Sequence, residues 1–168
     1  MKILPSAIMK PLSTCQSGEL VRPTSANGRS LAFVATNEQE NGRFLVNILA
    51  EPLQHQVHYE PIRHDEAVLS YGHDYDIQID HLAAMELRPR QLFEQLGCVH
   101  LVGAALQLRC GGHPQLTRGW PQHYVLASGQ LVPPPDINVP AAVFTGWSVS
   151  IDAGGEKALQ LYRFLLPT

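Results

Sequence analysis

Lysine is scarce in this chain: only Lys2, Lys10 and Lys157 occur among 168 residues. The net charge is -3 and the arginines are scattered, Arg88 and Arg90 being the densest local pair. A nucleic-acid binder needs a basic stripe that neutralises several phosphates, so neither DNA nor RNA is an expected partner. Charged residues of either sign make up 16% of the chain, against roughly 25% in an average domain. The apolar share of 45% excludes an intrinsically disordered chain. Together the two shares suggest that a second copy covers part of the surface, making a homo-oligomer the expected assembly. Cysteine is also sparse. Cys15, Cys98 and Cys110 are an odd number without C-x-x-C spacing, which excludes a secreted disulfide framework and a zinc knuckle. No apolar run approaches the ~20 residues of a membrane span. The stretch Met1 to Met9 has one lysine and is broken by Pro5, unlike a signal peptide. The expected location is the cytoplasm, with no membrane partner. Nucleophile-elbow, Walker, dinucleotide-binding, H-E-x-x-H and cupin signatures are all missing.

What is present is punctuation. Glycine and proline number 13 each and cut the chain into short apolar segments, as in a β-rich fold. No linker divides it, so residues 1–168 read as a single domain. The expected class is mainly β (α+β), an antiparallel sheet or partial barrel with one short helix packed on it. Leu31 to Ala35 and Phe44 to Leu49 read as a hairpin around Asn41-Gly42. Further strands are expected at Gln56 to Glu60, Ala67 to Tyr71, Tyr75 to His81, Tyr124 to Ala127, Gln130 to Val132, Ala142 to Ile151 and Leu159 to Leu165. The cleanest period-two alternation sets Tyr75, Ile77 and Ile79 against Asp76, Gln78 and Asp80. Trp147, Val149 and Ile151, with Val143 and Thr145, oppose Ser148 and Ser150 in the same way. Pro89 to Leu96 reads as the helix, with Pro89 at its first position and Gly97 at its end. Cys98 to Leu108 reads as one buried strand, and Gly111 to Pro121 as a loop. Ser17 to Pro23 (SGELVRP) resembles Ser128 to Pro134 (SGQLVPP), which raises an internal duplication with a ligand held between the halves.

Three groups of residues could carry chemistry. His55, His58, His64, His73 and His81 lie among Glu60, Asp65, Glu66, Asp74, Asp76 and Asp80, the usual donors for zinc, iron or manganese. On one strand, however, His55 and His58 stand roughly 10 Å apart and Asp76 and Asp80 about 13 Å apart. A metal would need convergence across strands, most economically His58 and Glu60 on one strand facing Asp76 or Asp80 on its neighbour. A solvated acidic face is the simpler reading, so no metal and no cofactor are expected. Cys98 and His100 could form a thiol–imidazole couple, but in so apolar a strand they read as core. The aromatic residues gather in the C-terminal third, where tryptophan and tyrosine offer apolar area with a polar tip. The expected ligand site is therefore Trp120, Tyr124 and Trp147, with His113, Arg118 and His123 as its polar groups. The function this implies is a non-catalytic binding protein for a small apolar ligand or a protein partner. The alternatives are a metal-dependent enzyme using residues 55–81 and a homodimeric interaction module without a pocket.

Overall fold

The computed structural model describes residues 7–24, 30–49, 57–80, 95–112, 120–136, 141–152 and 158–165. Fourteen strands run through them: β1 (Ile8–Pro11), β2 (Leu20–Pro23), β3 (Leu31–Asn37), β4 (Gly42–Leu49), β5 (His58–Pro61), β6 (Ala67–Gly72), β7 (Tyr75–Ile79), β8 (Val99–Val102), β9 (Ala105–Gly112), β10 (Gln122–Val125), β11 (Gln130–Val132), β12 (Ala141–Phe144), β13 (Gly146–Ile151) and β14 (Leu159–Leu165). The chain is mainly β, as its turn spacing implies. Among the described residues the one helical element is a 3-10 turn at Leu12–Thr14. The expected helix is not supported. Its residues 89–94 lie outside the described set, and Leu96 and Gly97 form a turn before β8.

Six strands close into a barrel in the order β3-β11-β10-β9-β5-β4, shut by the β3–β4 pair. It consists of two antiparallel meanders, β3-β4-β5 and β9-β10-β11, joined by two parallel seams. The first hairpin forms as its turn residues dictate. Asn37 opens the turn by accepting from the Gln39 and Glu40 N–H groups at 3.0 and 3.3 Å. Asn41 takes φ +45°, which asparagine tolerates better than most residues. Phe33, Phe44, Val46, Tyr59, Leu108, Cys110, Tyr124 and Leu131 fill the interior. On the outer face Ala32, Val34 and Leu45 pack beneath Leu12, Cys15, Val21 and Val68. Lys10 and Ser70 both hold the buried Glu19 carboxylate, at 2.7 Å each, and so tie β1 and β6 to the segment before β2. Burial opposes the charge of Glu19. Hydrogen bonds from Lys10, the Gln16 N–H and Ser70 outweigh it and hold the pKa at about 2.

Two segments expected as single strands are each two. Cys98 to Leu108 folds back at Gly103, so β8 and β9 form a hairpin with Val102 opposite Ala105. Gly103 takes φ +61°, which a two-residue hairpin loop requires at its first position. Ala142 to Ile151 breaks at Thr145, and its halves enter different sheets. β13 lies between β14 and β7 in a separate three-stranded sheet. Both sheets bury side chains in one core, where Trp147, Val149, Ile151 and Phe164 join the barrel residues.

The pairings contain an internal twofold. β2 to β7 and β8 to β13 have the same connectivity. In each half the first strand pairs with the second and the fifth, the third with the second and the fourth, and the fourth runs parallel to the second strand of the other half. The sixth strands, β7 and β13, pair antiparallel with each other about Ile77 and Val149. Thus β2 corresponds to β8, whereas the resemblance between Ser17 to Pro23 and Ser128 to Pro134 would match β2 with β11. Those two segments meet instead. The edge of β3 passes from β2 to β11 where the turns touch, with Ser17 Oγ donating to the Gly129 carbonyl at 2.7 Å. A Cβ on Gly129 would overlap the Gly18 nitrogen, and its φ is +71°. Only glycine fits there.

Candidate functional site

Two groups of the described polar residues are of opposite character. The first is buried. His100 on β8, Gln107 and Arg109 on β9 and His123 on β10 share the face of the sheet that points away from the barrel interior. The His100 and His123 rings meet edge to face at 4.8 Å. His123 Nδ1 lies 3.1 Å from Gln107 Oε1 and its Nε2 3.4 Å from Arg109 Nη1. Both contacts fit one neutral tautomer, with Nδ1 donating and Nε2 accepting. Burial lowers the pKa of His100 to about 4 and of His123 to about 3, and the Arg109 charge adds to the effect. The same burial raises Cys98 to about 11. A protonated thiol and a neutral imidazole are the opposite of an activated couple.

The second group is open. It sits on the outer face of the β7-β13-β14 sheet, where Gly146, Ser148 and Ser150 run down the central strand. Short side chains in the middle and longer ones at either side make a trough. The register places Gln78, Ser148 and Arg163 in one row across it. A cleft of about 410 Å³ lies here, lined by Gln78, Ile79, Asp80, Trp147, Ser148, Gln160 and Arg163. That volume is near the lower end for small-molecule sites. Arg163 Nη2 donates to Asp80 Oδ2 at 3.0 Å. The side chains of Gln78, Ser148 and Gln160 make no hydrogen bond among the described residues.

Of the described residues expected to bind a ligand, Trp147 alone lines this cleft. It is only 1% exposed. Its indole N–H donates to the Gly97 carbonyl at 2.7 Å, and its ring stacks on Phe164 at 5.9 Å. Tyr124 points into the barrel and stacks on Phe33 at 5.2 Å. His123 belongs to the buried group on the opposite side of that strand. Trp120 is 80% exposed, with its carbonyl accepting from Tyr59 Oη at 2.8 Å. His113 and Arg118 lie outside the described residues. The chain therefore disperses Trp120, Tyr124 and Trp147 over a surface, a barrel core and a cleft wall. Pattern reasoning read Ser148, Gln78 and Asp80 only as the polar sides of their strands, not as a ligand site, and missed Arg163 and Gln160. The signal was available: small residues alternate along β13, and a polar pair interrupts the apolar run of β14.

The described residues of the histidine-rich segment do not converge either. His58 and Glu60 are on β5, inside the barrel sheet between β4 and β9. Asp76 is on β7 and Asp80 just past its end, in the other sheet. The facing pair that would most economically hold a metal is not formed. Glu60 instead accepts from Asn47 Nδ2 at 2.8 Å. His64 and His73 are exposed, and His55 and His81 lie outside the described residues. Among the described residues no three histidine, cysteine or carboxylate side chains approach closely enough to hold an ion, and no helix is long and apolar enough to cross a membrane. Comparison with known protein families, with curated proteins and with solved structures gives no match.

Proposed function

We propose that this is a non-catalytic binding protein and that the cleft over Ser148 holds a small polar ligand. One observation carries the reading: two amides, a hydroxyl, a guanidinium and a carboxylate from three adjacent strands converge on one concave site. Polar side chains on a convex surface are simply hydrated. Those lining a concavity can be satisfied together by one molecule. The buried thiols and imidazoles are held in their unreactive neutral forms, which favours binding over catalysis.

The Asp80–Arg163 pair favours a ligand that carries both charges. An anion drawn to Arg163 meets the Asp80 carboxylate beside it, and a cation drawn to Asp80 meets the guanidinium. A zwitterion exchanges one ion pair for two, so the site discriminates by repulsion as well as attraction. The test is an amide-resolved NMR titration with dialanine, N-acetylalanine and alanine amide. Dialanine is expected to shift the Gln78, Ser148 and Arg163 amides. Ser148→Phe, which fills the trough, should abolish those shifts in a folded protein. No shift at these groups up to tens of millimolar overturns the reading. Equal binding of all three probes overturns the dipolar preference while keeping the cleft.

A further inference from the structure

We infer that the outer edge of β7 pairs antiparallel with β7 of a second copy, giving one six-stranded sheet across a homodimer. The internal twofold supplies the first argument. Exchanging β7 and β13 maps the place of β14, beside β13, onto the outer edge of β7. Within the described residues that edge carries no strand, so the chain itself shows what the position accepts: an antiparallel strand.

Coverage is the second argument. Tyr75, Ile77 and Ile79 point toward the core but stay half-buried, whereas Trp147, Val149 and Ile151 opposite them on β13 are shut away from solvent. The difference between the two strands is one neighbour.

The third argument is that this edge lacks a bulge, a proline and a basic residue. Proteins protect exposed edges with bulges, prolines, lysines or very short strands. β14 carries a register shift opposite Val149 and Ser150, and Arg163 besides. β1 has four residues and ends in Pro11, and β12 has four. β7 has five residues in unbroken register, without proline, lysine or arginine, and its one charged residue is Asp76.

The occupant follows from the sequence of the strand. Centred on Ile77, two copies of Tyr75-Asp-Ile-Gln-Ile79 bring Tyr75 opposite Ile79 and Ile77 opposite itself on the inner side. On the outer side each Asp76 faces a Gln78. No like charges oppose each other, and cross-strand pairs of this kind are favourable. Five paired residues make a small contact, so the dimer is a weak one.

Exposed Gln78 lets the register be tested in both directions. Gln78→Lys places a cation opposite Asp76 of the other copy, and Gln78→Glu places a second carboxylate there. The dyad makes each change count twice. Sedimentation velocity from 10 µM to 1 mM should show a monomer–dimer equilibrium. Gln78→Lys should tighten it several-fold and Gln78→Glu weaken it several-fold, each effect shrinking in high salt. A monomer at 1 mM for all three proteins overturns the inference. So does a dimer that both variants leave unchanged, because association would then use another surface. Since the readout is mass, failure here leaves the ligand titration of the cleft intact.

Discussion

Two polar sheet faces of this molecule are used in opposite ways. On β8, β9 and β10 the polar side chains pack against one another, with His100 and His123 wholly buried beside Arg109. On β7, β13 and β14 the residues face solvent and leave most of their hydrogen-bonding capacity open. The first arrangement is costly unless every group is satisfied, so its polarity works to specify one packing. The second costs little to keep and is available to a ligand. A polar face is thus a candidate for binding only when the fold leaves it wet.

The contrast is sharpest where packing is removed. Phe33 is fully buried against Tyr124 and Tyr75. Phe33→Ala should cost roughly 3–5 kcal/mol in urea denaturation. Ser148→Ala, on the open face, should stay within about 0.5 kcal/mol. If the two variants prove comparable, the barrel interior is not the packed core described above.

Acid should separate the two faces next. His100 and His123 have folded pKa values of about 4 and about 3, depressed from 6.5 by burial. The unfolded chain therefore binds more protons than the folded one between pH 6.5 and those values. Stability is complete above pH 6.5 and falls as pH drops through that window, by about 1 kcal/mol per pH unit for each histidine. His123→Gln should flatten the slope by about half. A stability profile flat from pH 7 to 4.5 would show that these rings are not buried neutral.

The smallest effect belongs to the exposed ion pair. Arg163→Gln removes a surface contact with Asp80 and should change stability by less than about 1 kcal/mol. A larger loss would mean that Arg163 holds the three-stranded sheet together and is not free to meet a ligand.

Much of the strand inventory was legible locally. Alternation marks β7 and β13, and Asn41-Gly42 marks the β3–β4 turn, because a strand with one buried face must repeat every two residues. Gly103 and Thr145 were harder to read. A glycine or threonine inside an apolar run is compatible with a straight strand, and only long-range pairing shows that the chain reverses at one and changes sheet at the other. The candidate site was legible in halves. Gln78 and Asp80 on one strand and Ser148 on another could be seen on polar faces, but nothing in the sequence says that β7 and β13 are neighbours.

The sequence by itself determined a β-rich chain, its main turns and the inward or outward sense of most strand residues, since those follow from local sterics and period-two burial. It also determined that lysine is too scarce to guard every sheet edge. Only the tertiary structure decided the closed barrel, the twofold relation between β2–β7 and β8–β13, and the separation of His58 from Asp76. It alone decided which polar faces are dry and which are wet. Each of these depends on pairing between strands distant along the chain, and the hydrogen bonds that join two strands carry no mark in either sequence of which partner will complete them.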